Sequence, residues 1–500
     1  MIVSMDLGKF KKCGYYDWKL VRMEKSGKIK GLYKVSNMED LKSSATLNMS
    51  HASFSDSPEK LRKTNIEKSR PVQGRFIIHP EFARGLQIHE VFVDFQEAVP
   101  DPTSGKLVRR GNFIKVKENM KRYRDSGINC MYLMGALERD NGPQYAKETH
   151  QKMFKRPDAS PLAVICRKTP NQMLGGVDGF KDLIGESKKL DMKILIDGLT
   201  RVSSARPHNR YLNHVLHNLD ESGKKTICFG TDGRALNFED TALLNYRKKE
   251  VWDLFLQEII EFTDKFGIDG IHLDNGQAWP QIMTLDVDEM HRIQCDGTPA
   301  YTDQEIFDGT VVLPDENCGY WGSKYDKINS FYYIFSFLFS SHAKYPNPFL
   351  IKLCKTFWNH YKDFLVLAES MTATGFEGRE INIIKSGPIP RVYSLPYALA
   401  SIFGQKLHPD GTVTSCEKKN ANVFRSWYEN IRKNQPAGSI VAQSTTSHSW
   451  PYPALLYKRG TWAAVDLIFF LPDLPMTFIG EQDGHAFRTK TTNIYTKVIF

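Results

Sequence analysis

Short apolar runs alternate with longer amphipathic stretches through most of this chain, and the alternation is regular enough to set out elements. IHEVFVDF (88–95), INCMYLM (128–134), KILID (193–197), IDGIHLD (268–274), FLVLAES (364–370), SIVAQS (439–444) and PMTFIG (475–480) read as strands. Between them FIKVKENMKRYRDSG (113–127), VDGFKDLIGESKKLDM (177–192) and KKEVWDLFLQEIIEFTDKFG (248–267) have helical spacing. The third places Val251, Leu254, Phe255, Ile259 and Phe262 on one face. SFYYIFSFLF (330–339) and PFLIKLCKTFWNHY (348–361) are further helices. Repeated strand–helix alternation predicts a parallel sheet, and this many units predicts a closed (β/α)₈ TIM barrel over residues 86–500. Residues 1–85 follow another pattern. DWKLVRMEKSGKIKGLYKVS reads as strand, Ser-Gly turn, strand, and GRFIIHP as one more strand, with a polar Ser- and Lys-rich insertion at about 36–71. A small N-terminal β-rich module is expected there.

Composition changes this picture little. With 41% hydrophobic and 25% charged residues in 500, the chain is ordinary globular protein. The net charge of +10 is spread over 67 basic and 57 acidic residues, and no Lys/Arg run exceeds a few residues, so no nucleic-acid partner is expected. The eight Cys include no CxxC pair, which points away from a zinc site or a disulfide scaffold and towards a reducing, cytoplasmic setting. MIVSMDLGKFKKCGYY lacks the apolar core of a signal peptide, and FYYIFSFLF (331–339) is about half as long as a membrane span, so no membrane partner is expected. No metal-ligand repeat, phosphate-cradling loop or dinucleotide fingerprint occurs, and no cofactor is expected. STTSHSW offers Ser and His without a G-x-S-x-G elbow.

The candidate chemistry lies at strand ends. In GIDGIHLDNGQAWP an apolar strand runs into Asp274; KILID ends on Asp197, and FLVLAES carries Glu369 near its end. One such acid is more often a turn or helix cap than a catalyst. Three on strands of one barrel would share the face where barrel enzymes hold their reactive groups. Paired carboxylates suit glycosidic bond cleavage, one attacking the anomeric carbon while the other protonates the leaving oxygen.

The order of these segments resembles the α-amylase superfamily, glycoside hydrolase family 13. Asp197 in ILIDGLTRVSS matches part of its Asp-x-x-x-Asn-His motif, and Gly270-Ile-His-Leu-Asp274 its Gly-x-Arg-x-Asp motif. Glu369 matches the acid after the fifth strand, and Ser447-His448-Ser449 reflects Asn-His-Asp after the seventh. Leu273-Asp274-Asn275 is also similar to the glucanotransferase half of glycogen-debranching enzymes. The resemblance implies Asp274 as nucleophile, Glu369 as general acid/base, Asp197 and His448 as supports for the sugar, and an α-glucan or oligosaccharide as substrate. Trp279 is placed to stack on a sugar face, although a core Trp is the commoner case. Four positions depart from the pattern: His272 replaces Arg, Ser449 replaces Asp, and Arg201 and Val202 replace Asn and His. His272 can favour an ionised Asp274 only when protonated, and Ser449 keeps a hydrogen bond but no charge. Arg201 argues against the calcium site to which that Asn contributes in many members; with His208 and His217 it is a candidate to fill the lost roles. Two functions stay open: a retaining α-glucan hydrolase or glucanotransferase, and an inactive glycan-binding or regulatory barrel. The interval of about 95 residues between Asp274 and Glu369 points to an insertion near 285–330. The end of the chain, some twenty residues after the eighth strand candidate, is consistent with a piece of a longer protein. Nothing in the pattern sets an oligomeric state.

Overall fold

The computed structural model describes residues 12–19, 73–100, 107–139, 161–203, 209–219, 225–227, 241–246, 248–274, 276, 348–370, 378–408, 412–436, 438–448 and 450–484. Eight strands close into a parallel barrel: β1 (Ile88–Phe92), β2 (Cys130–Met134), β3 (Lys193–Gly198), β4 (Gly270–Leu273), β5 (Leu365–Ser370), β6 (Ile389–Val392), β7 (Ala442–Ser444) and β8 (Leu474–Phe478). Each pairs with the next, and β8 returns to β1 through Met476↔Ile88. The (β/α)₈ expectation holds.

Helices follow the strands where apolar residues recur at helical spacing. Helix α1 (Phe113–Asp125) is capped by the Asn112 side chain, which accepts from the Lys115 N–H at 2.9 Å, and it buries Phe113, Val116, Met120 and Tyr123 at helical spacing. Helix α2 (Gly176–Lys189) precedes β3 and packs beside α1. Helix α3 (Lys249–Phe266) ends at Gly267, whose left-handed backbone (φ 73°) turns the chain into β4. Its buried face includes Val251, Phe255, Ile259 and Phe262, whereas Leu254 is only partly buried. Helix α4 (Pro348–His360) precedes β5, α5 (Gly378–Ser386) precedes β6, and α6 (Leu395–Ile402) and α7 (Asn422–Asn434) lie between β6 and β7. Among the described residues no helix is long and apolar enough to cross a membrane.

Two findings depart from the sequence pattern. Strand β6 lies in SGPIPRVYS, which does not read as a strand because Pro390 sits inside a four-residue run. At the N-terminus, Gly14–Lys19 pairs antiparallel with Gln73–Ile78, so the strand at GRFII finds its partner far back in sequence. This ribbon rests on the barrel: Tyr15 meets Trp358 of α4 at 5.4 Å between rings and donates to the Ser386 carbonyl at 2.6 Å. The Ser-Gly turn, the insertion at 36–71, the helix at 330–339 and the insertion near 285–330 lie outside the described residues.

Register explains which side chains share the lumen. Glu90 pairs with Tyr132, Asp197 with His272, and Glu369 with Arg391. The Arg391–Glu90 ion pair joins β6 to β1, which have β7 and β8 between them, so it must cross the barrel interior. With a side-chain period of two, these positions form one inward set.

Candidate active site

Two glycines set the backbone around Asp274. Gly270 opens β4 where an added Cβ would lie 2.2 Å from the Leu365 carbonyl oxygen, and Gly276 lies where a Cβ would come within 2.7 Å of the Ala368 side chain. The missing side chain at Gly276 therefore lets this segment close onto β5. Leu273 pairs with Ala368, which puts Asp274 one step further along and level with Glu369 on the neighbouring strand.

Asp197, Asp274 and Glu369 are all buried at this end of adjacent strands β3, β4 and β5. The Asp197 carboxylate accepts from the Tyr132 hydroxyl at 2.5 Å on one oxygen and from the Gly135 N–H at 2.5 Å on the other. Burial pushes this carboxyl up to about 7 against those two bonds, and Asp274 adds to the push. Asp274 is ion-paired through Oδ2 with Nη2 of Arg201. Arg201 begins a short strand, Arg201–Ser203, that follows β3 and pairs antiparallel with Thr241–Leu243.

On the other side of the lumen, Glu90 of β1 is fully buried and accepts from two cations. Nδ1 of His448 lies 2.6 Å from its Oε1, and Nη2 of Arg391 lies 2.6 Å from its Oε2. Burial opposes a charged Glu90, yet Arg391 and then His448 outweigh it and hold the carboxyl well below its ordinary range. Burial likewise opposes a charged His448, but Glu90 raises it by charge and by hydrogen bond, with Glu369 contributing. Arg391 stands over the Tyr393 ring at 4.8 Å and feels Glu369 as well as Glu90. His272 is different. Its ring lies 4.4 Å from that of Tyr132 at a 31° tilt, neither ring nitrogen has a hydrogen-bond partner among the described residues, and burial, then Arg391, pushes it well below its ordinary range. Burial thus disfavours its charged form.

Of the residues singled out in the sequence, Asp197, His272, Asp274, Glu369 and His448 thus share one end of one barrel. Ser449, Trp279 and His208 lie outside the described residues. His217 begins the short strand His217–Leu219, in the excursion after β3. Glu90, Arg391 and Tyr132 were not singled out. Glu90 sits inside its strand rather than at the end, and Arg391 on a strand hidden by Pro390; only the alternation of IHEVF carries a signal, a carboxylate on an apolar face. No group of three or more His, Cys, Asp or Glu side chains suited to a metal ion occurs among the described residues.

No protein-family model matches this chain, and no curated protein matches it by sequence. Solved structures match it in shape. A cyclic α-maltosyl-(1→6)-maltose hydrolase from Arthrobacter globiformis aligns with a TM-score of 0.53 at 12% identity, over 82% of this chain and 77% of its own. A maltogenic α-amylase from Thermotoga neapolitana gives 0.52 at 14%, over 83% and 72%. A debranching enzyme from Nostoc punctiforme, soaked with acarbose, gives 0.50 at 13%, over 84% and 79%. The closed parallel barrel and these neighbours together show that the chain has a (β/α)₈ fold like that of α-amylases.

Proposed function

We propose that this protein is a retaining glycosidase or glucanotransferase acting on the α-glucosidic bonds of an α-glucan or oligosaccharide. The observation that carries the reading is the pairing of Leu273 with Ala368, which sets Asp274, just past the end of β4, beside Glu369 on the adjacent β5. Neighbouring strands lie roughly 4.8 Å apart, in keeping with the roughly 5–5.5 Å between carboxyls that double displacement uses. The fold neighbours act on such bonds according to their names, which supports the substrate class.

In this reading the Asp274 carboxylate attacks the anomeric carbon and the glycosidic C–O bond breaks. The Glu369 proton goes to the departing oxygen. Glu369, now a carboxylate, takes a proton from the incoming hydroxyl as that oxygen displaces Asp274. Water as acceptor makes a hydrolase and a second sugar makes a transferase. Asp197 offers acceptor oxygens to sugar hydroxyls. His448, with Nδ1 engaged by Glu90, has Nε2–H as its second donor. Trp279 and Ser449 are proposed sugar contacts on the family pattern alone.

Product release from maltooligosaccharides and glycogen tests this. Asp274→Asn and Glu369→Gln are each expected to lower turnover by at least about 10²-fold with binding retained. Product lengths separate hydrolysis from transfer. Glycan binding by a folded parent without turnover would favour the inert glycan-binding barrel instead.

A further inference from the structure

The residue two positions before Asp274 makes no hydrogen bond to it. His272 lies against Tyr132 with its ring tilted by 31°, has no hydrogen-bond partner among the described residues, and sits where burial disfavours its charged form. A second buried guanidinium, on Arg391, is engaged by Glu90 at 2.6 Å. The cation that reaches Asp274 comes from elsewhere in the chain, from Arg201. Both side chains are about nine-tenths buried or more, with 5% and 10% of their surface exposed.

The backbone fixes this pair from both sides. Arg201 stands opposite Leu243 in a two-stranded ladder, and the Leu243 carbonyl accepts in turn from the Leu216 N–H at 2.8 Å. Asp274 is tied to the same stretch of chain, because β4 runs beside β3 and the Asp274 N–H reaches the Gly198 carbonyl at 3.4 Å. Only Leu199 and Thr200 separate Gly198 from Arg201. The guanidinium is thus anchored within a few residues of the strand that flanks its partner, which limits how far either group can drift. A buried carboxylate–guanidinium bond is charge-assisted and directional, so it orients the carboxylate as well as balancing its charge.

We propose that Arg201 is the positioning residue of Asp274: from the strand after β3 it holds one carboxylate oxygen and so presents the other to the anomeric carbon. The proposal rests on the reading of Asp274 as nucleophile. It makes one substitution answer two departures from the family pattern. The Arg that stands where that pattern has Asn supplies the donor missing at His272. It acts through Asp274 and takes no proton or bond in the reaction itself.

The test uses the full chain, maltooligosaccharide turnover, and trapping of the glycosyl-enzyme by a 5-fluoro-α-glucosyl fluoride, read by mass at the Asp274 peptide. Arg201→Gln is expected to lower kcat about ten- to hundredfold, the value of one hydrogen bond to a charged group, and to slow trapping in parallel while KM moves less than about threefold. Arg201→Lys is expected to keep part of the rate, because an ammonium replaces charge but not the planar fork. Moving the guanidinium back in Arg201→Gln/His272→Arg is expected to recover kcat over Arg201→Gln alone. A kcat and trapping rate in Arg201→Gln equal to the parent's, or higher, would overturn the proposal while leaving the nucleophile in place; higher would mean that the pair masks Asp274. Should Arg201→Gln fail to fold, Arg201→Lys carries the test, and a kcat within about twofold of the parent's overturns it. A folded parent that neither turns over nor traps at Asp274 removes the underlying reading, and this proposal with it.

Discussion

At Glu90 a carboxylate without access to water is held by His448 from beyond β7 and by Arg391 from β6. Removing one member of such a set leaves the others as unpaired buried charge, which costs far more than the intact set gains. Glu90→Gln is therefore expected to lower unfolding stability by about 3–5 kcal/mol near pH 6, read from urea midpoints. The pH dependence has a definite sign. Glu90 is depressed in the folded chain, so its contribution is present above its ordinary value of 4.5 and is lost as pH falls through the lower folded value. His448 is raised, so its contribution is complete below its ordinary value of 6.5 and is lost as pH rises through the higher folded value. The stability gap between parent and Glu90→Gln should be widest between those two ordinary values and narrow on the alkaline side. A gap that widens steadily to pH 9 would contradict the pairing. The residue identities at 197, 274 and 369 could be read from sequence because they end apolar strands. Glu90 could not, because a carboxylate within a strand has no meaning until a cation from another strand is known to meet it.

Elements were legible in proportion to their periodicity. Helices α1, α2 and α3 follow their predicted limits within a few residues because each has one apolar face and a clear end signal. Strand β6 did not emerge, since four residues with a central Pro have no pattern to show, and its place is decided by pairing with β5 and β7. Strand β4 shows the opposite case. Its Gly270 was visible as part of a motif, but the need for glycine follows from the Leu365 carbonyl against which it packs. Gly270→Ala must push β4 away from β5 and is expected to cost about 1–3 kcal/mol in stability. It should also lower kcat, because the same shift separates Asp274 from Glu369. Melting curves beside turnover would check both; a variant as stable and active as the parent would show that the contact relaxes freely.

For the whole molecule the fold question and the metal question meet at Arg201. A buried guanidinium at the position where the family pattern has Asn repels a divalent cation, and its ion pair with Asp274 ties it to the candidate nucleophile. Chelation by EDTA is accordingly expected to leave the melting temperature within about 1 °C, since a guanidinium at this position takes the place of a metal ligand. A drop of several degrees, reversed by calcium, would refute this.

By itself the sequence determined the alternation of strands and helices, and with it a barrel, because periodic burial is a local property written every two or every three to four residues. It also determined three strand-end acids, because an acid that ends an apolar run is visible without a partner. The tertiary structure alone decided which charges meet. Arg391 reaches Glu90 from three strands away around the barrel, and Arg201 reaches Asp274 across 73 residues of chain. Ion pairing depends on distance through space, and closing eight strands into a ring sets those distances by register and curvature rather than by order along the chain.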